Sequence, residues 1–188
     1  MLTTIGKWFA GKKIAEFEGT YDYDMSYARE MMEANFPAFR GFASVVKLAS
    51  VKGATPADAM FAAKIATTMA EDCGPCAQLT VTMAERAGID AKALRAIVAG
   101  DMAEMPESAA LGYRFAKTTL SHDVAAIDRL RGEIERRWGK AAAPELALAV
   151  ALSRVFPTIK YALGHGHACQ QVRVAGAIVP LIREEVHA

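Results

Sequence analysis

Helix start and stop residues recur along the whole of this chain, and that punctuation limits the fold more than any other feature. Asp90 stands where a side-chain oxygen caps a helix start, and Ser121 is read as the start signal of the helix over 123–138. Gly53, Gly88, Gly100 and Gly139 stand where a helix ends, and Pro37 interrupts an apolar run. Strict alternation of valine, isoleucine and threonine is not read anywhere, so an all-α fold is expected and a parallel sheet is not. The spacing predicts helices over 23–36, 38–52, about 56–70, 73–87, 90–100, 107–120, 123–138 and 144–163. In the second of these, Phe39, Phe42, Val45, Val46 and Ala49 form an apolar face. Thr55 is read as the N-cap of the third, Asp72 as an N-cap before Cys73, Pro144 as a helix start, and Pro157 as a kink. Gln170 to Val186 is read as a closing helix bent at Pro180. No linker divides the sequence, so residues 1–188 are expected to form a single domain.

At 188 residues with 53% hydrophobic content the chain can bury a substantial core. A formal net charge of +1 and the absence of any run of five like charges argue against nucleic-acid binding. Three cysteines do not make a secreted disulfide framework, and residues 1–13 lack the pattern of a signal peptide, so a cytoplasmic setting is expected. The apolar tract from Leu146 to Leu163 is broken by Arg154, Pro157 and Lys160, and no membrane span is expected. Trp8 and Phe9, beside Lys7, Lys12 and Lys13, are read as part of a terminal helix packing on its own domain rather than as a surface anchor.

Cys73-Gly74-Pro75-Cys76 carries the chemistry. Two thiols three residues apart at a helix start are neighbours, Gly74 keeps bulk from between them, and Pro75 is harmless where the first-turn amide has no intrahelical partner. A helix N-terminus contributes roughly 0.3 to 1 kcal/mol to a thiolate, less than one pKa unit, and Glu71 and Asp72 oppose it. A strong nucleophile therefore needs a base from elsewhere. Zinc would need two more ligands and no second pair exists, so neither metal nor cofactor is expected. His165, His167 and Cys169 alternate, which aligns them only in an extended segment; Cys169 is read as a buried free thiol. Thioredoxin shares Cys-Gly-Pro-Cys but places it after a strand with an aromatic residue before it, whereas Asp72 precedes it in helical surroundings here.

The context of the pair, Asp58 to Ala66, Cys73, Cys76 and Ala84 to Asp90, together with Glu145 to Val150 and Tyr161 to Gly164, resembles the carboxymuconolactone decarboxylase and alkylhydroperoxidase D-like superfamily. The likeness centres on about residues 55–165. It implies a compact multi-helical alkylhydroperoxidase D-like fold, a homo-oligomer, and a peroxidase or disulfide exchanger in which Cys76 attacks and Cys73 resolves. The substrate would be a small peroxide or disulfide, and an external thiol would recharge the pair. The family's relay histidine falls at Thr80 and its glutamate at Phe61, so both relay groups are missing from their places. Threonine hydrogen-bonds a thiolate but is no base near neutral pH. The candidate substitutes are Glu71 and, from the Gly164 to His167 turn, His165 and His167; His122 and the terminal His187 rank lower.

Two other readings compete. A cysteine-independent decarboxylase-like enzyme would hold a lactone acid with Arg40, Arg114 or Arg173. A non-catalytic helical module would oligomerise through exposed apolar helices, although Met25, Met31 and Met32 are better explained as a core stripe.

Overall fold

A computed structural model of the chain describes residues 2–49, 53–167 and 171–180. Nine helices lie among them: α1 (Leu2–Tyr21), α2 (Ser26–Ala34), α3 (Phe36–Leu48), α4 (Ala57–Ala70), α5 (Gly74–Arg86), α6 (Ala91–Ala99), α7 (Glu107–Leu120), α8 (Val124–Trp138) and α9 (Ala142–Ala162). The described residues are all-helical apart from one small hairpin, β1 (Gln171–Val174) with β2 (Ala177–Pro180).

The helix α4 is the hub. Ala59, Ala62, Ala63, Ile65 and Ala66 are all buried, and their small side chains let neighbours approach closely on several sides. Gly112 of α7 fits against the backbone of Ala59, where a Cβ would overlap the carbonyl group. Three packed groups surround this hub. Ile65, Val81, Leu94 and Ile97 join α4, α5 and α6 to the hairpin valines Val172, Val174 and Val179. Leu111, Phe115, Ile134, Leu146 and Val150 join α7, α8 and α9. Ile14, Tyr23, Tyr27, Met32, Phe39 and Phe42 form the N-terminal group, which leans on Phe156 and Ile159 of α9. Each such side chain contributes about 1.5 to 3 kcal/mol when taken out of water.

Two expected helix ends are present: Asp90 accepts from the amides of Lys92 (2.8 Å) and Ala93 (3.1 Å), and Gly100 ends α6 at φ +70°. Ser121 does not start α8: it closes α7, its hydroxyl donating to the Thr118 carbonyl at 3.0 Å, and Asp123 is the N-cap instead, accepting from the Ala126 amide at 3.0 Å. Met25 and Met32 lie in the core, as the stripe reading required. Other expectations need correction. The helix expected over 23–36 is shorter, Ser26–Ala34, because the Asn35 side chain accepts from the Ala38 amide at 3.1 Å and starts α3 at Phe36. Pro37 therefore belongs to a first turn. Thr55 is not a cap: its hydroxyl donates to the Glu145 carboxylate at 2.7 Å, which also accepts from the amides of Ala54 and Thr55, and Pro56 holds the N-cap position. Burial opposes ionisation of Glu145, but these bonds outweigh it and hold the carboxyl below its ordinary value. Pro144 lies within the first turn of a helix that begins at Ala142.

The expected closing helix is a hairpin over 171–180; residues 181–186 lie outside those described. Val172 pairs with Val179 and Val174 with Ala177, across a two-residue turn in which Ala175 (φ +48°) and Gly176 (φ +78°) are both left-handed. The valines at 172 and 174 point to one face and are fully buried, a period of two that was read as a period of 3.6. The terminal helix packs on the rest of the chain as expected, through Ile14 and Phe17, but Trp8 and Phe9 take no part in that docking and are 56% and 59% exposed. Among the described residues α9 alone has the length and hydropathy to cross a membrane, and its Leu146, Ala149, Val150, Pro157 and Lys160 are buried inside the protein.

Candidate active site

Cys73 is the N-cap of α5 and Cys76 lies in its first turn, so the backbone itself brings the two residues to a Cα separation of 5.3 Å, and a disulfide joins them. The expected cap at Asp72 is corrected by this placement. Asp72 adopts φ +50°, turning the chain into α5, and its carbonyl accepts from the Tyr161 hydroxyl at 2.8 Å. The Gly74 amide donates to the His167 carbonyl at 3.2 Å, so this first-turn donor serves the segment after α9 rather than sulfur. Both cysteines are buried, Cys73 at 0% and Cys76 at 3% exposure.

The polar group beside Cys76 comes from the other end of the chain. Tyr23, in the connection between α1 and α2, places its hydroxyl 3.8 Å from Cys76 Sγ. Lys160 of α9, itself 2% exposed, puts Nζ 3.3 Å from the same Tyr23 oxygen. Its ammonium lies 4.8 Å from the centre of the Tyr23 ring and 5.4 Å from that of Tyr27. Burial pushes the Tyr23 phenol well above its usual range and Tyr27 up to about 12. Burial likewise pulls Lys160 below the ordinary lysine value, a shift that Asp24 partly offsets. A neutral phenol that can donate thus stands beside the sulfur, and Lys160 stands behind that phenol.

Comparison with models of known protein families, with curated proteins and with solved structures returns no match to this chain. The site is therefore read from its own residues.

Of the substitutes foreseen in the sequence, none has its polar atoms turned to sulfur. The Thr80 hydroxyl donates to the Cys76 carbonyl at 2.8 Å, a helix back-bond. Glu71 is engaged by the Arg154 guanidinium of α9. His165 is half-buried, with Nδ1 3.1 Å from the Ser26 hydroxyl and Nε2 2.8 Å from the Glu30 carboxylate. Ser26 in turn donates to Asp24, next to Tyr23, so the imidazole reaches the site only through a chain of partners. His167 contributes its carbonyl and leaves its side chain exposed. Phe61, at the position of the family glutamate, packs against the core group of α4 to α6. Cys169 and His187 lie outside the described residues. Among the described residues no group of three metal-ligating side chains gathers.

The arginines of the decarboxylase reading face different surfaces. Arg40 lines a hollow with Pro37 and Ser44, Arg114 lines a cleft of about 550 Å³ between α7 and α8, and Arg173 is exposed on β1. Tyr23 and Lys160 were missed in the sequence. One signal was present for Lys160, which is one of two cations, with Arg154, within an apolar tract.

Proposed function

We propose that this chain is a thiol-dependent oxidoreductase of the carboxymuconolactone decarboxylase and alkylhydroperoxidase D-like superfamily, with the fold of that group. Its working element is the Cys73 and Cys76 pair. The single observation that carries the reading is the disulfide across the first turn of α5 with the Tyr23 hydroxyl 3.8 Å from Cys76 Sγ. A four-residue ring is a poor staple, since it removes little freedom from the unfolded chain, and is suited to opening and closing. In the proposed cycle Cys76 takes one oxygen atom from a hydroperoxide and Cys73 displaces it as water. The net change is two thiols and one hydroperoxide converted to a disulfide, an alcohol and water. An external thiol, as in the cytoplasm, restores the pair, and the protein acts as a homo-oligomer.

The test is to treat reduced protein with a hydroperoxide and follow intact mass and free thiols. Reversible loss of two hydrogens, localised to the peptide containing Cys73 and Cys76 and abolished in Cys73→Ser and Cys76→Ser, is expected. Turnover that persists in the double variant would sink the reading and favour a cysteine-independent enzyme.

A further inference from the structure

We propose that the Tyr23 hydroxyl is the proton-transfer group of the Cys73 and Cys76 pair, and that Lys160, acting through Tyr23, is the positioning residue that holds the transferred charge. This rests on the dithiol reading above and supplies the base that α5 lacks. Three elements far apart in sequence converge to make the chain of contacts: Cys76 on α5, Tyr23 between α1 and α2, and Lys160 on α9. Thr80, Glu71 and His165 have their polar atoms committed to other partners.

Lys160 is the feature that packing does not explain. Among the described residues no carboxylate lies within ion-pair distance of its Nζ, which is enclosed by Tyr23, Tyr27 and the body of α9. A buried ammonium without such a partner opposes folding, and an apolar side chain of similar length would pack there at lower cost. The charged and titratable groups around it are Tyr27 from α2, Asp24 from the connection between α1 and α2, Cys73 and Cys76 from α5, and, one layer out, His165 with Glu30. Asp24 favours the ammonium and burial favours the amine. These opposed pulls act on the group that the relay asks to take and return one proton.

On oxidation, the Cys76 thiol proton passes to the Tyr23 oxygen as the Tyr23 proton passes to the Lys160 amine. The sulfur then attacks the terminal peroxide oxygen: an S–O bond forms, the O–O bond breaks, and the electron pair leaves on the alkoxide. That alkoxide takes the proton back from Lys160 through Tyr23 and departs as the alcohol. The Cys73 thiol attacks Cys76 sulfur, the S–S bond forms, and hydroxide leaves with the Cys73 proton as water. On recharging, an external thiol passes its proton to the Lys160 amine and its thiolate attacks Cys73; Cys76 leaves as a thiolate, Tyr23 protonates it and is refilled from Lys160. A second external thiol then attacks the external sulfur bound to Cys73 and its proton goes to the Cys73 thiolate that leaves, so two external thiols become one disulfide.

The experiment titrates Cys76 in the Cys73→Ala protein by ultraviolet thiolate absorbance, subtracting the Cys73→Ala, Cys76→Ala protein so that other groups cancel. Tyr23→Phe and Lys160→Met are then introduced separately. Each is expected to raise the Cys76 midpoint by about one pH unit or more, because each removes a group that stabilises the thiolate. Unchanged midpoints in both variants, with circular dichroism matching the parent, overturn the proposal. Tyr23→Phe deletes one oxygen atom, so it decides the matter alone if Lys160→Met does not fold. The dithiol reading is judged separately in the unmodified protein: if the pair cycles there with hydroperoxide while the midpoints do not move, the relay alone fails.

Discussion

Lys160 sets chemistry against stability at a single position. Its folded-state pKa is depressed below the ordinary 10.5, chiefly by burial. The unfolded chain therefore keeps this proton at pH values where the folded protein has released it. By linkage, stability climbs with pH from the depressed folded value up to 10.5 and is lowest, for this group, below that window. Lys160→Met should stabilise the protein at neutral pH by about 1 kcal/mol or more, since an apolar side chain replaces a buried charge. The difference from the unsubstituted protein should vanish as pH approaches 10.5. Chemical denaturation across pH measures both; a variant that is less stable at neutral pH would show that Lys160 is held by interactions stronger than those described. Tyr23 and Lys160 also mark where reading the sequence stopped. Cys73 and Cys76 declare themselves because their relation is local, whereas Tyr23 and Lys160 are 137 positions apart and meet only once α9 has packed beside the N-terminal group.

At the scale of elements, the hairpin shows how a short strand passes for a helix. Val172 and Val174 give only one repeat of alternation, and Ile178, Val179 and Val186 fit helical spacing equally well. What decides the matter is the turn at Ala175 and Gly176 and the docking to α5, and the docking is tertiary. Arg173 pairs with Ile178 in the register where its own N–H and C=O face away from β2. Gln78 satisfies both, accepting from the Arg173 amide at 2.8 Å and donating to its carbonyl at 3.1 Å, while Glu85 accepts from the Ala175 amide at 2.7 Å. A side-chain amide thus acts as an extra strand edge. Gln78→Ala should weaken the docking by roughly 1 kcal/mol per lost bond and speed hydrogen exchange at the Arg173 amide, leaving that at Leu94 in α6 unchanged. The cap at Asp90 was legible because it involves neighbours two and three residues away, whereas Ser121, read as a helix start, closes α7. The cap assigned to Thr55 failed because Glu145, 90 positions on, claimed its hydroxyl.

The whole molecule depends on α4, and at Gly112 its packing leaves no room. A Cβ there meets the Ala59 carbonyl, which is backbone and cannot swing aside, so α7 and α4 would have to part. Gly112→Ala should cost about 3 kcal/mol, far more than its gain in helix propensity, and thermal unfolding will measure it. The all-helical class was legible because start and stop residues are local. The way the helices pack was not, because Ala59, Ala62 and Ala63 carry no pattern that names Gly112 as their partner. The same close packing seals the cysteine pair, with Cys73 at 0% and Cys76 at 3% exposure. A thiol that is to open a disulfide must approach along the line of its two sulfurs. The conformation described offers no such approach, so a disulfide held this way is insulated kinetically. How fast it exchanges is governed by how often its cover lifts, and a passing thiol, however strongly reducing, must wait for that event.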